Sequence, residues 1–260
     1  METNIFYMRN AALYFETTKR GVCIEEMNGS EEPIRPENRL KTGILVDGIH
    51  NGCEVGMSMM DERTEKEMEV HAGIFATVKG LLFTHLHEDH YCPEKTEVFL
   101  SNAESDIAVY GPFLKASNVC LEPLGAELSR FWVEPWEIIV KRTVHDGEGY
   151  RKDPHVSFLI GMESEYFFVA GDAALQPEDA DDFLPYTSSV EAAFVNLYQL
   201  VEDSGIAFLH RLKPKRVVLY HLPVTENDVW NYLRLARQAV RRAQKHGIHV
   251  KCAEHMSWMF

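Results

Sequence analysis

The stretch LLFTHLHEDHY, residues 81–91, places three histidines and two acids directly after an apolar run that is typical of a buried strand. In an extended loop alternate residues share a face, so the side chains of His85 and His87 point the same way and can bind one metal ion. Asp89 and His90 follow one step further on, where they are placed to reach a second ion. The stretch therefore predicts a metal site in a loop at the end of a strand.

The composition fits one α/β domain over residues 1–260. Of the 260 residues, 45% are hydrophobic, which is enough for one sizeable core. Lysine and arginine number 26 against 40 acidic residues, which gives a net charge of −14. Because this charge opposes the binding of polyanions, we expect the partner to be a small molecule and not a nucleic acid.

The cysteines and the terminal sequence bear on the compartment. The five cysteines are scattered and form no C-x-x-C pair, so neither a disulfide framework nor a zinc knuckle is indicated. The first ten residues, METNIFYMRN, lack a basic segment followed by an apolar block, and no later apolar run is long enough to cross a bilayer. We therefore expect a cytoplasmic protein without a membrane contact.

Strand and helix patterns alternate along the chain. One strand is predicted over residues 5–17, and seven further apolar runs read as strands at residues 43–49, 81–85, 107–111, 156–162, 166–172, 192–196 and 216–221. The polar, proline-bearing segment 28–39 is predicted to be a hairpin tip or an edge insertion. These patterns are typical of an α/β fold.

The clearest helix is predicted over residues 226–246, where apolar residues recur at helical spacing. Thr225 and Asp228 form a capping-box pattern at its start, and Gly247 follows its end. The other face of this helix is rich in arginine. Given the acidic total charge, we expect that face to be a solvated surface and not a nucleic-acid contact.

The sequence offers three further candidate ligands at strand ends. RTVHDGEG contains His145, YFFVAGDA contains Asp172, and RVVLYHLP contains His221. Each emerges where a buried strand meets a loop, and this repeated placement is stronger evidence for a shared metal site than any single residue.

The series H-x-H-x-D-H, a later histidine, a G-D pair after a strand and a strand-terminal histidine resembles the metallo-β-lactamase fold superfamily of hydrolases. The segment LHRLKPKRVVLYH, residues 209–221, is similar to the simpler bacterial members related to L-ascorbate-6-phosphate lactonase. The resemblance implies an α/β fold of four layers, an αβ/βα sandwich. In it two mixed β-sheets pack face to face with helices on the outer faces, and the site lies along one edge of the sheets.

The resemblance also implies which residue binds which ion. His85, His87 and His145 would bind the first ion. The second ion would be bound by Asp89, His90 and His221, and Asp172 would bridge the two. Two neighbours depart from the usual pattern, since Ala173 follows the G-D pair where a threonine is common and Asp146 follows the lone histidine. Neither departure removes a ligand.

Two divalent ions about 3.5–4 Å apart can share a bridging hydroxide that is a nucleophile near neutral pH. Asp89 is the expected catalytic residue, because it would orient this hydroxide, and either Asp89 or a metal-bound water would pass a proton to the leaving group. Zinc suits the imidazole-rich ligand set best, although manganese, iron or nickel would also bind. Oxygen-reducing di-iron relatives usually carry a carboxylate at the position of His87, so hydrolysis is favoured over redox chemistry.

The substrate is expected to be a small-molecule ester, lactone, amide or phosphoester. His50 and Asn51 follow an early predicted strand and His155 precedes a later one, so we predict that these three residues bind substrate. Two alternatives stay open, because fold alone does not determine chemistry. They are a nucleic-acid phosphodiesterase of the same fold and a non-catalytic metal-binding protein.

Overall fold

Two β-sheets form the centre of the structure, a computed structural model that describes residues 2–19, 40–52, 56–114 and 117–259. The segment predicted as a hairpin tip or edge insertion, residues 28–39, lies outside these ranges. Within them, the first sheet contains β1 (Glu2–Tyr7), β2 (Leu13–Lys19), β3 (Leu40–Val46), β4 (Val78–Leu82), β5 (Ala108–Tyr110) and β14 (Ser257–Trp258).

The second sheet contains the remaining described strands, which are β6 (Glu122–Pro123), β7 (Leu128–Val133), β8 (Trp136–Thr143), β9 (His155–Met162), β10 (Glu165–Val169), β11 (Val190–Val195), β12 (Val217–Leu219) and β13 (Val250–Cys252). The strand orders are β14-β1-β2-β3-β4-β5 and β13-β12-β11-β10-β9-β8-β7-β6. Both sheets are mixed. The pairs from β3 to β5 and from β10 to β13 are parallel, and the other pairs are antiparallel.

Helices cover the outer face of each sheet. They are α1 (Glu62–Glu69), α2 (Pro93–Ser101), α3 (Asp179–Phe183), α4 (Leu197–Val201), α5 (Asp203–Leu212) and α6 (Tyr232–Lys245). Short 3-10 turns occupy Gly73–Thr77, Glu148–Tyr150, Leu184–Tyr186 and Thr225–Asn227. Of the helices in the described ranges, none combines the length and the apolar character that a bilayer crossing requires.

Alternate side chains along each strand point to opposite faces of its sheet, one face towards the other sheet and one towards the helices. Phe158 of β9 and Phe167 of β10 pack between the two sheets, where Phe15 of β2 meets them. Their neighbours Leu159 and Phe168 point to the opposite face and pack against the helices. Burying each such side chain contributes about 1.5–3 kcal/mol, so the strands are stabilised from both faces. The helices α1 and α2 pack in the same way on the first sheet. The predicted four-layer sandwich is confirmed.

The single strand predicted over residues 5–17 is wrong, because the chain turns back between Tyr7 and Leu13 and forms the antiparallel pair β1–β2. Asn10 lies in this turn with φ 56°, a left-handed conformation that asparagine adopts more readily than most residues. Its side-chain Nδ2 donates to the carbonyl oxygen of Asp89 at 2.7 Å. The turn therefore supports the loop that carries the histidine cluster.

The predicted start of the last helix is also wrong. Residues 225–227 form a 3-10 turn, and α6 begins at Tyr232 after Asn231, which has φ 56°. Asp228 does not complete a capping box with Thr225, because its carboxylate accepts from the backbone nitrogens of residues 232 and 233, at 2.5 and 3.1 Å. The helix ends at Lys245, one residue before the predicted end, and Gly247 follows with φ 77°.

Candidate metal centre

The loop after β4 carries four of the predicted ligands, and hydrogen bonds fix its backbone. The backbone nitrogen of Thr84 donates to Asp47 Oδ1 at 2.8 Å, which ties the start of the loop to the end of β3. The backbone nitrogen of His90 donates to the carbonyl oxygen of His87 at 2.9 Å and closes a tight turn. This turn brings the end of the H-x-H-x-D-H motif back towards its beginning.

The other three predicted ligands come from loops that follow β8, β10 and β12. The loops that hold His145 and Asp172 are joined directly, since the backbone nitrogen of Asp146 donates to the carbonyl oxygen of Asp172 at 2.7 Å. His221 follows β12 with φ 58°, in the left-handed region. The strand ends therefore deliver these side chains to the same edge of the sandwich as the first loop.

The first predicted ion site brings together His85, His87 and His145. Their candidate ligand atoms lie within 4.8 Å of one another, and His85 Nε2 is 3.1 Å from His87 Nδ1. The Nδ1 atom of His145 lies 2.5 Å from the carbonyl oxygen of Asp146, which as an acceptor fixes the proton on Nδ1. Its Nε2 atom is buried without a hydrogen-bond partner and is the ring nitrogen available to a cation.

The second predicted ion site brings together Asp89, His90 and His221, again with candidate ligand atoms within 4.8 Å of one another. Asp89 Oδ2 lies 3.1 Å from His221 Nε2 and 3.8 Å from His90 Nε2. One carboxylate oxygen is thus close to both imidazoles. That arrangement is what a shared cation would require.

Asp172 lies between these two groups. Its Oδ2 is 3.7 Å from His90 Nε2, and its Oδ1 is 4.0 Å from His221 Nδ1. It also forms a third candidate ligand group with His85 and His90, whose ring centroids are 3.9 Å apart. All seven predicted ligands therefore converge in overlapping groups, and Asp172 has the position expected of a bridging residue.

The donor set fits a pair of transition-metal ions. Ring nitrogens of His90, His145 and His221 are buried without a hydrogen-bond partner, although buried polar atoms in proteins are nearly always paired. The ligand-atom separations of 3.1–4.0 Å are close to the edge of a tetrahedron around zinc, about 3.3 Å for bonds of about 2 Å. Cations bound between these atoms would satisfy the unpaired nitrogens.

Burial and neighbouring charges set the protonation of the cluster. Burial, together with the nearby His90, holds the pKa of His85 well below its usual range, so this imidazole is neutral and able to ligate. Burial alone would lower the pKa of His90, but the carboxylates of Asp89, Asp172 and Asp47 outweigh it and raise that pKa well above its usual value. The same carboxylates would attract a metal cation.

The two aspartates of the cluster are held ionised. For Asp89 the neighbouring His90 and His221 outweigh the effect of burial and lower its pKa. For Asp172 burial is again outweighed, by His221, His90 and His85, and its pKa falls well below the usual value. Both side chains are therefore carboxylates near neutral pH, the form that binds metal.

Asp47 contacts the ligand cluster, although the sequence analysis did not single it out. It is fully buried, and its Oδ2 lies 3.0 Å from His90 Nδ1 and 2.6 Å from Thr84 Oγ1. A carboxylate behind a ligand histidine fixes the ring and leaves the other nitrogen for the metal. The available signal was its position, because Asp47 directly follows the apolar strand β3 as Asp172 follows β10.

His155 and His50, both predicted to bind substrate, are buried, and their substrate roles stay predictions. His155 is the first residue of β9, where its Nδ1 lies 2.7 Å from Thr143 Oγ1 and its Nε2 accepts from the backbone nitrogen of Asp172 at 3.0 Å. Both ring nitrogens are therefore engaged by the protein. His50 has no exposed surface, and its Nδ1 accepts from the backbone nitrogen of Gly52 at 2.9 Å.

Asn51 and Tyr150 lie at the accessible side of the cluster. Asn51 is exposed and its backbone nitrogen donates to the carbonyl oxygen of Glu88, next to a predicted ligand, so its substrate role stays a prediction. Tyr150 is half exposed, with its ring centroid 4.8 Å from that of His87 and 5.4 Å from that of His145. A cavity of about 250 Å³ opens nearby, lined partly by Asp146, Ala173 and Tyr198.

Solved structures of other proteins share this architecture. Two structures of CmlA β-hydroxylase, one described as a diiron enzyme from Streptomyces venezuelae, give TM-scores of 0.61 and 0.57 at 14% identity and cover 100% and 99% of this chain. An isothiocyanate hydrolase from Delia radicum gut bacteria gives a TM-score of 0.55 at 12% identity, covering 99% of this chain and 98% of that one. The metallo-β-lactamase fold protein YhfI from Bacillus subtilis gives 0.56 at 12% identity, covering 100% of both chains.

The chain has the metallo-β-lactamase fold. It spans about half of CmlA, 54% of that chain. No protein-family model and no curated protein matches the sequence. The narrower resemblance to the L-ascorbate-6-phosphate lactonase branch stays a prediction, and the chemistry of this chain has to be argued from its own site.

Proposed function

We propose that the protein is a dinuclear metal-dependent hydrolase that acts on a small-molecule ester, lactone, amide or phosphoester. The observation that carries the proposal is the convergence of five histidines and two aspartates from the loops that follow β4, β8, β10 and β12. His85, His87 and His145 would hold one ion. Asp89, His90 and His221 would hold the other, with Asp172 between them.

Two divalent ions bound there would lower the pKa of water to near neutrality and polarise the carbonyl or phosphoryl oxygen under attack. The chain itself would supply the group that orients the attacking water and accepts its proton. Asp89 is ionised, its Oδ2 is 3.1 Å from His221 Nε2, and its side chain is 14% exposed, so a water molecule can reach it. Its carboxylate can orient that water and accept its proton, which is the role we assign to it.

The ligand set supports zinc as the metal. Five imidazoles and two carboxylates suit transition metals and not magnesium or calcium, which prefer oxygen ligands. Manganese, iron and nickel also fit this set, and one neighbour in fold is described as a diiron enzyme. Histidine at position 87, where a carboxylate would favour iron, supports zinc among them.

The surroundings of the site support a small substrate. The net charge of −14 opposes the binding of a nucleic acid. The exposed ring of Tyr150 beside His87 and His145 offers an apolar surface of the size of one substrate group. The adjoining cavity of about 250 Å³ is of the order that holds part of a small ligand.

The proposal is tested by measuring hydrolysis with and without metal. The protein is stripped with a chelator, reloaded with Zn²⁺ or Mn²⁺, and assayed against chromogenic phosphodiester, lactone, ester and amide substrates beside a labelled RNA. We expect metal-dependent turnover of at least one small substrate, abolished in His85→Ala and retained in His210→Ala, an exposed histidine outside the site. Turnover that is unchanged in His85→Ala, or cleavage of RNA alone, would contradict the proposal.

A further inference from the structure

Asn196 connects the metal centre to a neighbouring helix. It directly follows β11, is fully buried, and caps α4 because its Oδ1 accepts from the backbone nitrogens of Tyr198 at 2.9 Å and Gln199 at 3.4 Å. The other side-chain atom, Nδ2, donates to Asp172 Oδ1 at 2.9 Å. One side chain therefore caps the N-terminus of a helix and also hydrogen-bonds a predicted metal ligand.

Gln199 completes this arrangement. Its Oε1 accepts from the backbone nitrogen of Asn196 at 2.7 Å, which closes a capping box. Its Nε2 donates to the carbonyl oxygens of Gly171 at 3.1 Å and Ala173 at 2.9 Å. The capping box thus holds the backbone on both sides of Asp172.

These bonds determine the orientation of the Asp172 carboxylate. Its backbone nitrogen is held by His155 Nε2 at 3.0 Å, and Oδ1 is held by the Asn196 amide. Rotation of the carboxylate would break that bond. The second oxygen, Oδ2, is thereby kept towards His90, 3.7 Å from its Nε2. In this orientation Oδ2 faces the ligand cluster.

We propose that Asn196 is a positioning residue for the metal centre, which fixes Asp172 in the orientation that binds metal. This inference rests on the dinuclear centre of the proposed function. Asparagine combines an acceptor and an N–H donor on one short side chain, whereas an ionised aspartate has no donor and serine has a shorter reach. Hydrogen-bond partners of metal ligands typically change metal affinity by about 10–100-fold.

Two variants separate positioning from helix capping. Asn196→Ser keeps a good N-cap residue but shortens the side chain, and Asn196→Ala removes both functions. Asp61→Ala is the matched control, because Asp61 caps α1 by accepting from the backbone nitrogen of Thr64 at 2.9 Å and is not a predicted ligand. Zn²⁺ affinity is measured by competition with a chromophoric chelator, and the melting temperature of each metal-free protein is recorded alongside.

We expect Asn196→Ser to bind the second equivalent of Zn²⁺ about 10–100-fold more weakly than the wild type, with a melting temperature lowered by no more than about 8 °C because the 2.9 Å bond to Asp172 is lost. Asp61→Ala should melt lower yet bind both equivalents normally. Normal binding of both equivalents by Asn196→Ser would overturn the positioning role, and this variant decides the matter even if Asn196→Ala does not fold. A wild type that binds no Zn²⁺ would overturn the proposed function itself, so the two failures are distinguishable.

Discussion

Replacing Asp172 with alanine should damage the metal centre more than the fold. The carboxylate lies near His90 and His221 and forms a candidate ligand group with His85 and His90, whereas the first group of histidines does not include it. Asp172→Ala should therefore keep about one ion and lose the second or bind it weakly. If the two metal ions together stabilise the transition state by about 4 kcal/mol more than one ion does, turnover should fall about a thousandfold.

The same change has a calculable effect on stability. It leaves the buried Asn196 Nδ2 without its 2.9 Å partner, which costs about 1–3 kcal/mol. For a chain of this size about 2 kcal/mol corresponds to a decrease of about 4–8 °C in melting temperature. Such a decrease leaves a folded protein at 25 °C, so lost turnover would report on the site.

Metal content, melting temperature and turnover should be measured on one preparation of Asp172→Ala. Asp203→Ala serves as the control, because Asp203 is 93% exposed, pairs with Arg242 and belongs to none of the candidate ligand groups. Full turnover with two bound ions would refute the bridging role. In that case Asp172 would be a turn residue whose loss costs about 1 kcal/mol.

Three further predictions concern charge, pH and Asp47. The protein should show no appreciable binding to duplex DNA or structured RNA at physiological salt, because its net charge is −14, and tight, salt-sensitive binding in an anisotropy assay would contradict this. Burial lowers the pKa of His50 and of His155 to about 3, whereas the unfolded value is about 6.5. As the pH falls below 6.5, these two histidines take up protons in the unfolded chain but not in the folded one. The free energy of unfolding of the metal-free protein should therefore decrease from pH 6.5 downwards. The decrease should be up to about 1.4 kcal/mol per pH unit for each histidine. A flat series of urea midpoints between pH 7 and 5 would contradict it. Asp47→Asn should weaken metal binding about 10–100-fold, since the charge behind His90 is lost, and an unchanged affinity in a chelator competition would count against that role.

The candidate ligands could be recognised from local sequence, because they lie where strands end, whereas the four-layer sandwich was implied by the resemblance to the metallo-β-lactamase fold superfamily. A ligand such as His221 follows an apolar run directly, and its position needs no knowledge of distant contacts. The hairpin β1–β2 was misread because the apolar character of residues 5–17 continues through the turn at Asn10. No bounds were predicted for β7 and β8, although these strands flank a turn at residues 134–135 and contain the apolar runs FWV and IIV.

Contacts between distant segments account for what the sequence could not predict. Asp47 and His90 are 43 positions apart, and Asn196 and Asp172 are 24 apart, so no local pattern relates the partners. Asp47 and Asn196 nevertheless directly follow the apolar strands β3 and β11. The burial of His50 and His155 could likewise not be read from their loops, and the substrate roles predicted for these two residues stay predictions.

The central claim is that the seven converging side chains hold two metal ions, and elemental analysis of the purified protein tests it most directly. After incubation with Zn²⁺ or Mn²⁺ and removal of the excess, we expect close to two ions per chain, because seven ligands are too many for one four-coordinate ion. A protein that retains no transition metal after this treatment would contradict the claim.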